Sequence, residues 1–288
     1  MLILQDLTYI HPNKDLLFAD LNFIVNKQDK IALIGNNGSG KSTLLKILAG
    51  ELYPAAGLVK NNPKPYYIPQ VFGQFNEYTV AHALQINEKL QALNAILNGN
   101  ISEENLSLLN DDWALEERCQ KALDYWGLQG LELTQKIGTL SGGQKTKVFL
   151  AGIMVNRPET VLMDEPSNHL DTAARNMLYA YISHTKNTLI VVSHDRTLLN
   201  LLNVVYELGK SGITVYGGNY DFYVEQKNIE TAALNQDLKS KEKSLRSARE
   251  TEKEALERQQ KLDAKGKKKQ ENSCPSCWFG KPAYRRRL

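Results

Sequence analysis

The sequence predicts an α/β fold: a mostly parallel β-sheet covered by helices, with an antiparallel β subdomain, an α-helical subdomain and a long C-terminal helix. Three observations predict it. Short apolar runs of strand length, at 30–34, 161–164 and 188–192, alternate with amphipathic helical stretches, the pattern of buried parallel strands. Polar clusters follow these runs, where ligands bind in open α/β sheets. From Asn228 to Lys265 there is neither Gly nor Pro, and the Glu/Lys pairs of that stretch suit one long helix.

The elements follow in order. Residues 2–9 and 18–25 cluster or alternate apolar side chains, and Pro12-Asn13-Lys14-Asp15 supplies the turn of an antiparallel hairpin. Residues 30–34 read as a buried strand, and 41–49 as a helix with Leu44, Leu45, Ile47 and Leu48 inward and Gly50 as its stop. A turn at 53–57 precedes a short strand at 65–70, which leaves Gln70 at a strand end. Between about 73 and 139 the composition becomes that of a helical insert. It has a helical run at 81–97, a helix start at Ser102-Glu103-Glu104 and an amphipathic run at 116–126. Ser141 opens a helix reaching about 156, ended by Pro158. Strand 161–164 ends in a carboxylate, 172–184 is a helix, strand 188–192 runs into Ser193-His194-Asp195, and 196–202 is helical.

The 288 residues suit one large domain with an appendage, and their 42% hydrophobic content suits a globular core. No apolar run approaches the roughly 18 residues that cross a bilayer. The start, Met1-Leu2-Ile3-Leu4-Gln5-Asp6, has neither a basic region nor a cleavage site, so a cytoplasmic chain is expected. Three cysteines are too few for a disulfide framework and agree with a reducing compartment; Cys274 and Cys277 form a lone C-x-x-C, a weak zinc signal. The net charge of +3 divides unevenly. Up to Glu230 there are 19 Lys+Arg against 24 Asp+Glu, and beyond it 16 against 8. A mildly acidic body thus carries a basic tail, which is either a surface for nucleic acid or another polyanion, or a solvated helix.

The chemistry centres on Gly35-Asn36-Asn37-Gly38-Ser39-Gly40-Lys41-Ser42-Thr43, which matches the phosphate-binding pattern G-x-x-x-x-G-K-[ST] between a strand and a helix. Its glycines let backbone N–H groups turn toward phosphate oxygens, and the helix N-terminus adds partial positive charge. Lys41 would reach the β- and γ-phosphates, and the Ser42 hydroxyl would bind Mg²⁺. Phosphoryl transfer to water also needs a metal carboxylate and a group that orients water. Asp164 and Glu165 are placed for these two tasks, and Gln70 and His194 can hydrogen-bond the metal-bound water and the γ-phosphate. Taken alone, Asp164-Glu165 could be a helix cap, and a single histidine is more often structural.

Leu140-Ser141-Gly142-Gly143-Gln144 resembles the signature of the ATP-binding-cassette (ABC) ATPases. The order of motifs is similar too: the P-loop, Gln70, the helical insert, the signature, Asp164-Glu165-Pro166, Asn168-His169-Leu170-Asp171 and His194. The resemblance covers roughly residues 1–225. It implies a P-loop NTPase fold of ABC type and ATP as the nucleotide. In that family two nucleotide-binding domains close head to tail, so Ser141, Gly142, Gly143 and Gln144, with Asp171, would face nucleotide on the partner's Lys41. The adenine-stacking position aligns with His11; Tyr9 is the alternative, though it reads first as an inward-facing strand residue.

Residues 164–171 resemble the form found in the ABC-F group, with Ser167 in place of Thr, and 217–227 resemble that group's approach to its interdomain linker. The resemblance implies a chain without membrane domains that acts on the ribosome, with a basic helical arm directed to RNA. The expected plan is a nucleotide-binding domain at 1–224, with a helical subdomain at about 73–139, a basic helical arm at 225–270 and an irregular tail at 271–288. A heptad reading of the arm puts Leu234, Lys241, Ala248, Ala255 and Leu262 on one seam and Leu238, Leu245, Glu252 and Gln259 on the other, a seam that is apolar early and polar late. The family's returning helix and second domain are not in this sequence, and Arg285-Arg286-Arg287 could bind phosphate. A truncated or frameshifted first half is therefore expected, with a half-size homodimer as the alternative. Competing functions are the ATPase subunit of a membrane transporter and an ATP-binding fragment lacking its second domain.

Overall fold

The computed structural model describes residues 1–209 and 212–271, with the side chains of residue 264 and of residues 266–271 left aside. The expectations for Cys274, Cys277 and Arg285-Arg286-Arg287 lie outside the described residues. The chain divides into two compact units, Met1–Glu225 and the part that begins at Gln226.

The first unit contains two sheets. Strands β1 (Leu2–Ile10), β2 (Leu16–Val25) and β4 (Ala56–Asn61) form an antiparallel sheet in the order β2-β1-β4. The larger sheet is built from β3 (Lys30–Ile34), β5 (Tyr66–Ile68), β6 (Thr160–Asp164), β7 (Thr188–Val192), β8 (Val204–Gly209) and β9 (Gly212–Gly217). Its order is β5-β6-β7-β3-β8-β9, parallel up to the last pair, which is antiparallel.

The central strands are buried on both faces, and their period of two divides the interior into two cores. Ala32, Val161, Met163, Leu189 and Val191 face one core with α2 (Val80–Ala83), α5 (Leu115–Tyr125), α6 (Gly142–Asn156) and α7 (Thr172–His184). Ile31, Leu33, Leu162, Ile190 and Val192 face the other, with α1 (Lys41–Leu48) and the inner sides of β1 and β2. The strand C-termini that carry Gly35, Glu165 and Ser193 therefore emerge side by side.

Several sequence expectations need correction. The run at 81–97 is two helices, α2 and α3 (Asn87–Leu97), separated where Gln85 takes a left-handed φ of 57°. α4 (Glu103–Leu109) starts as expected, with the Ser102 hydroxyl accepting the Asn105 N–H at 3.2 Å. The helix expected over 196–202 is α8 (Arg196–Leu199), which ends in a turn. Strands β4, β8 and β9 were not foreseen. β4 pairs along the edge of β1, and only Val59, half-buried against the second core, marks an inner face.

Helix α9 spans Tyr220–Glu271, starting eight residues before Asn228, because the stretch without Gly or Pro itself begins at Asn219. Within the second unit Leu234, Leu238, Leu245 and Leu262 are exposed. Pairs four residues apart, Arg246–Glu250 at 3.3 Å and Arg258–Glu254 at 3.6 Å, support the helix. Among the described residues no helix is long and apolar enough to cross a membrane.

Candidate active site

The loop between β3 and α1 is held by close backbone approach. A Cβ on Gly35, whose φ is 152°, would lie 2.5 Å from the Leu208 carbonyl oxygen. One on Gly40, at φ 96°, would lie 2.7 Å from the Leu17 side chain. Only glycine fits both demands. Gly40 is the N-cap of α1 and contributes no side-chain cap, so the first N–H groups of the helix keep their capacity for an anion. Lys41 Nζ donates to the Gly35 and Asn36 carbonyls at 2.9 and 3.0 Å. Burial lowers the Lys41 pKa, and the Glu165 and Asp164 carboxylates oppose that shift.

Asp164 ends β6, and its carboxyl is buried. Burial raises its pKa, opposed by the Ser42 hydroxyl, then Lys46 and Lys41, and then Tyr67. The buried Tyr67 hydroxyl has no hydrogen-bond partner among the described residues. Asp164 Oδ1 has no hydrogen-bond partner among the described residues. A buried carboxylate oxygen without a donor, beside a serine hydroxyl, is the kind of oxygen donor set that a hard cation such as Mg²⁺ takes, so the residues fit that ion.

Glu165 follows in a left-handed conformation, φ 51°, with its N–H donated to the Val192 carbonyl at 2.8 Å. That bond ties the end of β6 to the end of β7. Its carboxylate accepts the His194 backbone N–H at 3.2 Å and lies 3.5 Å from the His194 ring Nε2. Burial raises the Glu165 pKa. His194 pulls it back by charge and by the backbone hydrogen bond, Asp164 pushes it further up, and Lys41 counters.

Gln70 is exposed two residues beyond β5, the strand beside β6. No hydrogen bond from it to the Asp164–Glu165 pair is found among the described residues. A cavity of about 210 Å³ brings together Gly35, Asn36, Lys41, Ser193 and His194 with Glu207, Tyr220 and Tyr223. Tyr220 and Tyr223 belong to the stretch 217–227 that resembles the linker approach, but neither they nor Glu207 were expected at the site, since nothing local in β8 or at the start of α9 marks them as neighbours of the P-loop.

A second cavity, of about 650 Å³, runs from Leu16, Leu17, Phe18 and Asp20 to Asn36, Asn37, Gly38 and Ser39, with Leu208 behind. His11 does not line it; its ring stands edge-on to Tyr9 at 5.5 Å. Tyr9 itself is buried in the second core, as an inward-facing strand residue.

Ser141 caps α6 in a reciprocal pair: its hydroxyl accepts the Gln144 N–H at 3.3 Å, and Gln144 Oε1 accepts the Ser141 N–H at 2.9 Å. A Cβ on Gly143 would lie 2.7 Å from the His169 carbonyl oxygen, and one on Gly142 3.3 Å from the His169 ring. Asp171 caps α7 through the Ala174 N–H at 2.7 Å and pairs with Lys147 of α6 at 3.1 Å. The Ala174 N–H and then Lys147 hold its carboxyl below the usual range. These residues share a surface cavity with Gly127 and Leu128, apart from the one that holds Lys41 and His194.

A sequence model of the ABC transporter family matches residues 18–168. The chain belongs to that family. This ABC cassette is 32% identical over 253 residues to the uncharacterized ABC transporter ATP-binding protein YkpA of Bacillus subtilis, covering 81% of this chain and 47% of YkpA. It is also 32% identical to ABC transporter F family member 2 of Arabidopsis thaliana, over 76% of this chain and 30% of that protein. The cassette thus spans half or less of these two relatives' length. Its fold is that of the dimeric bacterial ABC transporter cassette MJ0796, with a TM-score of 0.57 at 22% identity, over 75% of this chain and 98% of that one.

Proposed function

We propose that the chain is a Mg-dependent ATPase of ABC-F type that works on the ribosome, with residues 1–224 as its nucleotide-binding domain and the basic helix from 225 to 270 as an RNA-directed arm. The observation that carries the catalytic part is the Glu165 carboxylate. It is buried beside Asp164, raised in pKa and bonded to His194, as a group that takes a proton from attacking water requires.

In this reading the N–H groups of residues 36–43 and the Lys41 ammonium hold the phosphates. Ser42, Asp164 and Gln70 would hold Mg²⁺, which when bound supplies positive charge at the phosphate oxygens. Glu165 accepts the proton of the attacking water, and His194, pinned to Glu165, donates a hydrogen bond toward the γ-phosphate. Gly35, Gly38 and Gly40 keep the loop open to the nucleotide, and the base lies against the wall formed by Leu17 and Phe18; for His11 to stack on it, the ring would have to turn away from Tyr9. The face formed by Ser141, Gly142, Gly143, Gln144 and Asp171 meets the nucleotide of a second cassette, supplied by another copy of this chain or by the longer protein. Dimerisation is a property of the cassette MJ0796 and supports this arrangement.

The ABC-F assignment is supported by residues 164–171, by the likeness to an F family member and by the basic balance beyond Glu230. Two measurements test the reading. Mg-dependent ATP turnover of the chain is expected to fall about a hundredfold or more in Glu165→Gln with ATP affinity kept; equal turnover would remove Glu165 from the role. The Glu165→Gln chain with ATP is expected to sediment with ribosomes, and failure to do so at low salt would overturn the ribosomal part.

A further inference from the structure

The His194 ring is largely exposed, and its side chain is 73% accessible. Packing does not aim it, so its direction depends on how residues 193–195 are held. On one side the His194 N–H is donated to Glu165. On the other, the Asp195 N–H is donated to the Ser193 hydroxyl at 3.1 Å, and that hydroxyl lies 3.4 Å from the buried Ser167 hydroxyl. The Asp195 carboxylate completes the fastening. Its Oδ1 accepts the Thr197 and Leu198 N–H groups at 3.0 and 3.3 Å, capping α8, while its Oδ2 accepts the Tyr179 hydroxyl from α7.

We infer that Tyr179 is a positioning residue for His194, acting through Asp195. The inference rests on the reading of His194 given above. Tyr179 is suited to the task because it comes from outside the loop. α8 is a short helix, and a cap on four residues does not by itself fix the loop before it. Tyr179 ties that cap to α7, whose own start is fixed by Asp171 and Lys147. Burial, then the Asp195 carboxylate, push the Tyr179 hydroxyl up to about 12, so it stays a donor throughout the working pH range. Neither Tyr179 nor Asp195 lines the cavity that holds Lys41 and His194, which separates positioning from contact with nucleotide.

Tyr179→Phe removes the hydroxyl and keeps the ring. Two measurements on the full chain separate the inference from the function on which it rests. The first is the ring ¹⁵N–¹H spectrum of the five histidines, which needs no turnover. The His194 signals are expected to shift or broaden in Tyr179→Phe, while those of His11 and His82 stay in place. An unchanged His194 signal would overturn the inference whether or not the chain hydrolyses ATP.

The second is steady-state turnover. Tyr179→Phe is expected to lower kcat about three- to tenfold with KM for ATP unchanged, and to add nothing in a His194→Ala background, as coupled residues do. A fully additive loss in that background, or a lowered melting temperature with kcat intact, would mean that Tyr179 merely holds α7 and α8 together. Absence of turnover in the parent chain would count against the proposed ATPase and would leave the histidine spectrum to decide for Tyr179.

Discussion

Glu165 offers its carboxylate to His194 twice, to the backbone N–H at 3.2 Å and to the ring Nε2 at 3.5 Å. The two residues close β6 and β7, neighbouring strands whose C-termini are already tied by the Glu165 N–H and the Val192 carbonyl. A buried acid and an exposed imidazole are thereby held in register beside the P-loop.

The pH dependence of turnover follows from that pair. The Glu165 pKa is raised by burial and pulled back by His194, so turnover should fall on the acid side as Glu165 is protonated, with a midpoint above the ordinary carboxylate range. His194→Ala removes the ring's part of that lowering and keeps the backbone hydrogen bond, so the residual activity should show its acid limb at higher pH. A limb that stays in place, or moves to lower pH, would contradict the pairing.

Stability should report the same group with a defined sign. A carboxyl raised in the fold binds more protons folded than unfolded between the two pKa values, so its contribution falls as pH rises through the folded value. Glu165→Gln has no such penalty and should melt above the parent at pH 7 to 8, by about 2–4 °C per kcal/mol relieved, with the gain shrinking as pH falls through the raised folded pKa and gone once pH is below the ordinary carboxylate range. Melting curves of both proteins across that range decide it.

Lys41→Ala should weaken nucleotide binding at least about tenfold, because the ammonium now shared between the Gly35 and Asn36 carbonyls is also the charge offered to phosphate. Titration with a fluorescent ATP analogue measures this. Affinity equal to the parent's would contradict the assignment of the loop.

Two glycines separate site from scaffold. A Cβ on Gly143 would press on the His169 carbonyl at 2.7 Å, so Gly143→Ala should displace the segment after Glu165 and suppress turnover while ATP binding persists. A Cβ on Gly152 would lie 1.9 Å from the Tyr66 hydroxyl, which is buried and donates to the Phe149 carbonyl at 3.0 Å. Gly152→Ala should therefore cost about 1–3 kcal/mol of stability, with Tyr66→Phe easing part of it. Denaturation midpoints test the second glycine, and binding and turnover test the first.

The elements that carry the chemistry were legible because their residues repeat local rules. Lys30–Ile34 and Thr188–Val192 read as buried runs of strand length, and Ser141 reads as the opening of α6, where the structure adds Gln144 as its reciprocal partner. What was not legible depends on tertiary contact. β4 gains its place from β1 rather than from an apolar face of its own. The break at Gln85 interrupts a run whose composition is helical throughout. Phe18 reads as a strand residue of the core, and nothing local tells that Leu17 and Leu208 beside it wall the space next to Asn37 and Gly38. Tyr179 and Asp195 are sixteen residues apart and meet only because α7 returns along the sheet to β7.

The central claim is that two copies of this chain hold nucleotide between the P-loop of one and the Ser141–Gln144 face of the other. The most direct test is the molar mass of the purified Glu165→Gln chain in solution, with and without Mg-ATP. The account predicts a monomer that becomes a dimer when ATP is added, and that reverts when Lys41 is also replaced. A chain that binds ATP and stays monomeric at every concentration would contradict the claim that it builds these sites with its own copy, and would direct the search to the second cassette of a longer protein.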